Sequence, residues 1–267
     1  MNAEIGIIGG SGLYSLMDKF EEVEMDTEYG KPSDRIAIGM IGNRSVAFLP
    51  RHGRKHSLPP HKIPYKANIA AFKQLGVSRI ISTSAIGSLK QEYKPGDIAL
   101  FDQFVNMTHG RDDTFFHGSS VTHVSTAEPY CPELRSIGMK AADTLKLDYH
   151  KDATIVVING PRFNTKAESK MYANHGFDVI NMTQYPEVPL AIEREMCYLG
   201  IGMVTDYDAG LEGNDNIKPV TLEEVNRIFA ANISKVKSMI NEIVPRVPEA
   251  RIKCHCPDVL KNAVVGH

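Results

Sequence analysis

With 267 residues, 30 Lys and Arg against 32 Asp and Glu, and a net charge of −2, the chain can bury a full core. It carries neither the basic stripe of a nucleic-acid binder nor an acidic tail. Its apolar runs, about five to seven residues, are too short to cross a bilayer, and no signal-peptide pattern opens the chain, so a cytoplasmic protein is expected.

Ala3 to Ile8 predicts a strand that runs into Gly9-Gly10-Ser11-Gly12, a turn whose amides and Ser11 hydroxyl suit an anion. A dinucleotide fingerprint is the rival, but Ser15 stands where its third Gly or Ala belongs; no Gly-Lys-Ser/Thr follows to make a P-loop. Residues 34–50 alternate as a hairpin about Gly42-Asn43. They lead into Pro50-Arg51-His52-Gly53-Arg54, which reads either as a solvated basic loop or as a ligand loop in which Arg51 grips an oxyanion.

A helix is predicted from Tyr65 to Leu75, stopped by Gly76. The strand over 77–88 ends in small and hydroxyl residues, Ser82-Thr83-Ser84-Ala85, which leave room for a ligand and offer it donors. A further strand over 98–104 precedes a loop-like stretch, 105–130, that carries His109, His117 and His123. Helices are predicted over 132–145, 166–174, 188–195 and 221–244, the last opened by a Thr221/Glu224 capping box. Between them lie strands over 154–158, 179–182 and 199–204. Phe163, just past the first of these, reads as core or as a platform for a flat ligand.

The strand over 199–204 ends in Thr205-Asp206-Tyr207-Asp208. On an extended chain Asp206 and Asp208 face one spot, with Thr205 and Tyr207 turned away. Two carboxylates held together need donors or a shared proton. A structural pair bound by Arg or by amides is the alternative to a site.

The alternation of elements predicts an α/β fold: a single domain over 1–267 with a central mixed β-sheet flanked by helices, and a tail from about 250. Ligand-type residues recur at strand C-terminal ends, after Ile8, Leu49, Ile81, Ile158, Met182 and Val204, which points to one composite site. Cys254-His255-Cys256 reads as a strained disulfide, a soft-metal half-site or idle thiols. Zinc is the least expected, because it needs two more ligands and the lone Cys131 and Cys197 make no pair motif. No metal is expected.

Five stretches together carry a resemblance. They are Ile5 to Leu13, Pro50 to Arg54, Gly160 to Phe163, Asn181-Met182-Thr183 with Pro186-Glu187, and Val204 to Asp208. In this order they resemble the purine nucleoside phosphorylases, and most closely the S-methyl-5′-thioadenosine phosphorylase branch, over about residues 3–245. The resemblance implies phosphorolysis of methylthioadenosine, with inorganic phosphate as co-substrate and no cofactor. It implies that Ser11, Arg51, His52, Ser84, Thr183 and the Ala85 amide hold phosphate. Met182 would lie against the ribose, Phe163 on the purine face, and His123 in a neighbouring subunit's 5′ pocket, which implies a homo-oligomer, a trimer or a dimer of trimers. Asp206 would be the general acid at purine N7, and Asp208 would share the 6-amino group. Disulfides Cys131–Cys197 and Cys254–Cys256 are implied in the same way. The chain departs from the family pattern at Asn159, at Thr183-Gln184-Tyr185 and in the loop 209–219, which bears on the 5′ group.

Overall fold

The structure, a computed structural model, describes residues 2–118, 121–211 and 217–265; residues 212–216 of the loop 209–219 lie outside the described residues. In chain order the strands are β1 (Ile5–Gly9), β2 (Phe20–Val23), β3 (Ile36–Ile41), β4 (Arg44–Pro50), β5 (Arg79–Ser88), β6 (Ile98–Met107), β7 (Val121–Thr122), β8 (Tyr149–Ile158), β9 (Val179–Asn181), β10 (Cys197–Asp206) and β11 (Val264–Val265). The helices are α1 (Tyr65–Gln74), α2 (Pro132–Thr144), α3 (Lys166–Asn174), α4 (Gln184–Glu193) and α5 (Leu222–Ile243).

Nine strands form one mixed sheet in the order β10-β6-β8-β9-β5-β1-β4-β3-β2. A further β10–β5 pairing curls one end of the sheet into a closed ring of β5, β10, β6, β8 and β9. Period-two alternation supplies a core on each face. Ile8 packs on the side of α1 and α4, with Ile69, Phe72, Val188 and Leu190. Ile5 and Ile7 pack on the side of α2 and α5, with Leu134, Met239 and Ile240. In α5 the buried residues Val236, Met239, Ile240 and Ile243 follow helical spacing and lay one face on the sheet.

The mixed α/β sheet follows the sequence expectation, and the differences lie in single elements: β6 runs to Met107 and β7 lies inside the stretch expected to be loop, and α4 spans Gln184–Glu193 rather than 188–195. β2 goes unread in the sequence, because Phe20-Glu21-Glu22-Val23 is a short, largely exposed edge without clear alternation. β8 begins at Tyr149, ahead of its apolar run. A full capping box forms at Thr165/Glu168 of α3. At α5 the Glu224 amide donates to Thr221 Oγ1 at 3.2 Å, but the Glu224 carboxylate accepts from Arg227 instead. No helix among the described residues is long and apolar enough to cross a membrane.

Candidate active site

The site is set by the way β5 changes neighbours. One edge of β5 pairs with β1 up to Ile8↔Ser82, and the same edge takes up β9 at Gly87↔Ile180. Residues 83–86 face the gap between. The segments that follow β1, β4 and β9 converge there: the Gly9–Gly10 turn, Arg51-His52, and Met182-Thr183. The Arg51 amide donates to Gly9 O at 2.9 Å, which joins the first two. The other edge of β5 pairs with β10, up to Gly87↔Asp206. Both ends of the predicted site thus hang on one strand.

Beneath the gap lies a buried ion pair. Arg51 is 2% exposed and Glu187 fully buried. Arg51 donates from Nε to Glu187 Oε2 at 2.7 Å and from Nη2 to Glu187 Oε1 at 2.8 Å. Nη2 also donates to Ser82 Oγ at 2.6 Å, and Nη1 to Thr83 O at 2.9 Å. Glu187 Oε1 accepts further from Ser82 at 3.0 Å and Tyr198 at 2.6 Å. Burial works against the Arg51 charge, but Glu187 more than offsets it, and the guanidinium stays a cation. The oxyanion grip expected of Arg51 is therefore directed largely at a protein carboxylate. Glu187, read in the sequence only as part of a motif, is the partner that reading missed.

One layer above, Ser84 lies on the same face of β5 as Ser82. Asn181 Nδ2 donates to Ser84 Oγ at 3.3 Å and to Thr183 Oγ1 at 3.5 Å, so two expected phosphate ligands meet at one amide. Asn181 is 7% exposed. The Thr83 hydroxyl is buried without a hydrogen-bond partner among the described residues and lies 2.5 Å from where a Cβ on Gly9 would sit. His52 Nδ1 is 2.8 Å from Leu58 O, so Nδ1 carries the proton and Nε2 the lone pair. Burial pulls the imidazole down to about 4, which keeps it neutral near pH 7; the Leu58 carbonyl opposes this, and the Arg51 and His56 charges add to it. The Ser11 backbone opens a short 3-10 turn directly after Gly10, and its side chain lies outside the described residues.

At the other end the acid pair departs from the expected geometry. β10 stops at Asp206 with a register shift after Val204, and Asp208 has a left-handed backbone, φ +48. Asp206 and Asp208 are therefore not i, i+2 neighbours on an extended strand, but the chain turns so that the Asp208 amide donates to Asp206 Oδ1 at 2.8 Å. Thr205, expected to face away, donates from Oγ1 to Asp206 Oδ2 at 2.7 Å. Asn164 Nδ2 donates to Asp208 Oδ2 at 2.9 Å, tying the pair to the Phe163 loop. Burial pushes the Asp206 carboxyl up to about 6. The Thr205 and Asp208 hydrogen bonds pull it down, and the Asp208 and Glu224 charges push it up by less. Burial, more than like charge, makes this acid protonatable near neutrality.

Gly87 gives the pair its room: an added Cβ would come 3.0 Å from Asp206 Oδ1 and Ile180 Cγ2. Gly87→Ala is expected to displace the carboxylate by a few tenths of an ångström and lower kcat about tenfold, by the logic of misplaced reacting groups. Unaltered steady-state rates in a folded Gly87→Ala protein would contradict this.

Phe163 is 39% exposed on the loop between β8 and α3, open to a ligand rather than packed in the core. Met182 packs beside Ile180, with Sδ 2.5 Å from where a Cβ on Gly160 would sit. The described contacts do not bring His123 to the other candidates. It is exposed, and its amide donates to Ala263 O at 2.8 Å in the two-stranded β7–β11 pairing.

The four cysteines overturn a sequence expectation. Cys131, Cys197, Cys254 and Cys256 are free thiols, and their sulfurs all lie within 4.8 Å of one another. The two implied disulfides are not formed, and the ligands judged too few for a metal are brought together by the fold, which no local spacing reveals.

Similarity to known proteins follows the same lines. A sequence profile of the phosphorylase superfamily matches residues 4–245. The S-methyl-5′-thioadenosine phosphorylase of Thermofilum pendens is 50% identical over 264 residues, 98% of either chain. A methylthioadenosine phosphorylase from an antarctic soil metagenomic library superposes with a TM-score of 0.92 at 39% identity, covering 99% of this chain and 93% of that one. The Schistosoma mansoni methylthioadenosine phosphorylase in complex with adenine gives a TM-score of 0.87 at 34% identity over 92% of each chain. The chain belongs to the phosphorylase superfamily, in its S-methyl-5′-thioadenosine phosphorylase branch.

Proposed function

We propose that the protein catalyses phosphorolysis of S-methyl-5′-thioadenosine, giving adenine and 5-methylthioribose 1-phosphate. The observation that carries this reading is a buried, protonatable Asp206 on one side of β5 and the Ser84–Asn181–Thr183 cluster on the other. Phosphate attacks the anomeric carbon as the bond to purine N9 breaks, through an oxocarbenium-like state that a nearby anion stabilises. Ser11, Ser84, Thr183 and the Ala85 amide donate to phosphate. Neutral His52 accepts from a protonated phosphate oxygen through Nε2, and buried Arg51 supplies positive charge beneath. Adenine is a poor anionic leaving group, and a proton from Asp206 to N7 lets it depart neutral. The Asp208 carboxylate accepts from the 6-amino group, and it would repel the oxygen of a 6-oxopurine. Met182 lies along the ribose and Phe163 on the purine face.

The 5′ end is completed by a second subunit. His123 has no site neighbour in its own chain among the described contacts, in keeping with a homo-oligomer, a trimer or a pair of trimers, in which it serves the adjacent site.

The test is release of base from methylthioadenosine, methylthioinosine, adenosine and inosine, each with and without phosphate. Phosphate-dependent adenine release from methylthioadenosine is expected to exceed hypoxanthine release from methylthioinosine at least tenfold, the cost of one mismatched polar contact. Phosphate-independent release, or faster turnover of the 6-oxo nucleosides, would refute the assignment.

A further inference from the structure

We propose that Cys131, Cys197, Cys254 and Cys256 form a closed tetrathiolate zinc site that fastens the C-terminal tail to the core, independently of the phosphorolysis chemistry. The ligands come from three separate places. Cys131 is the N-cap of α2, Cys197 opens β10, and Cys254 and Cys256 lie on the tail, the latter at the start of a single 3-10 turn. The first two are buried and the tail pair is half-buried, as a cluster closed over by its own tail should be. The Cys131 amide donates to Tyr198 O at 2.9 Å, which fixes α2 against the first residues of β10.

The spacing favours a metal over disulfides. A sulfur–sulfur bond is about 2.05 Å long. A zinc ion with Zn–S bonds of about 2.3 Å in a tetrahedron sets its sulfurs about 3.8 Å apart. Cys197 Sγ and Cys254 Sγ, which belong to different implied disulfides, are 3.6 Å apart, and all four sulfurs fit within 4.8 Å. The 3.6 Å separation is close to one tetrahedral edge and joins the two halves of the cluster. Metal binding here exchanges thiol protons for the ion, with no change of oxidation state. Four thiolates and no open position make the site structural, with no place for a bound water.

The clamp has a downstream reach. Beyond it the tail accepts the His123 amide at Ala263 O and pairs β11 with β7. Fastening residues 254–256 thus steadies the strand that presents His123.

The full-length protein, purified without chelator or added oxidant, is expected to carry about one zinc ion per chain by elemental analysis. In denaturant with chelator and no reductant it should then show four titratable thiols. Replacing zinc with cobalt should give the intense visible and thiolate charge-transfer bands of a tetrahedral tetrathiolate. Cys254→Ser and Cys256→Ser change only half-buried tail positions, and each should lower zinc content at least tenfold while the protein stays folded by circular dichroism. Chelation of the wild type should open the tail to limited proteolysis. Fewer than four thiols in the untreated protein, bound iron in place of zinc, or four thiols with no metal even after incubation with zinc would each overturn the proposal.

Discussion

Asp206→Asn is expected to lower kcat on methylthioadenosine by about 10²–10⁴, the usual worth of a general acid, and at the same time to raise the melting temperature. The two effects share one cause. The wild-type carboxyl is raised to about 6 by burial, so folding favours its protonated form. A group shifted upward in this way adds stability below its unfolded value of 3.8 and loses it as pH rises through the folded value near 6. At pH 7 the ionised carboxylate is therefore a net cost of about 1–3 kcal/mol. An amide of the same size carries no charge; its oxygen can accept from the Asp208 amide while its Nδ2 donates to the Thr205 hydroxyl, which accepts as well as donates. It should recover part of that cost, about 2–8 °C in melting temperature. A variant that loses activity and also loses stability would assign Asp206 a structural role.

Glu187→Ala is expected to be the most damaging single change to stability. It strips Arg51 of both carboxylate hydrogen bonds and leaves a guanidinium that is 2% exposed without its counter-charge. Removing one partner of a buried pair costs about 3–5 kcal/mol, or about 6–20 °C at this chain length. The phosphate side should suffer with it, because Arg51 Nη1 holds Thr83 O, one residue before Ser84. The KM for phosphate is expected to rise about tenfold or more, as a misplaced positioning contact would cause. The double variant Arg51→Met, Glu187→Leu removes both charges and should regain much of the stability, but not the phosphate affinity. Calorimetry with a phosphate titration checks both halves. A Glu187→Ala protein as stable as wild type would show that the pair is not the keystone its burial implies.

What the sequence made legible was local. Apolar runs followed by glycine, basic, hydroxyl or acidic residues marked the ends of β1, β4, β5 and β10, and the recurrence of ligand-type residues at strand C-terminal ends implied one site. The acid pair stood out because two carboxylates so close at a buried strand end demand an explanation. What stayed hidden depended on distant partners. Glu187 lies just ahead of the helix read over 188–195 and only the fold places it inside α4, while its partner Arg51 is 136 residues away. Asn181 looked like a strand terminus, and only the approach of β9 to β5 shows that it orients two hydroxyls. Asp208 was placed near Asp206 by an argument that its left-handed backbone breaks, and the turn restored the proximity by another route. The cysteines follow the same rule: one short Cys-x-Cys and two single residues have no spacing signature, and the fold alone makes them a set of four.

The most direct test is the pH dependence of kcat/KM for methylthioadenosine at saturating phosphate, wild type beside Asp206→Asn. The titration of phosphate is common to both, so the difference isolates the side chain. The wild type should show an alkaline fall with an apparent pKa near 6, the folded value of Asp206, because the acid must hold its proton to give it to N7. The variant should be slow and lack that limb. Two profiles of the same shape, differing only in height or not at all, would contradict proton donation by Asp206.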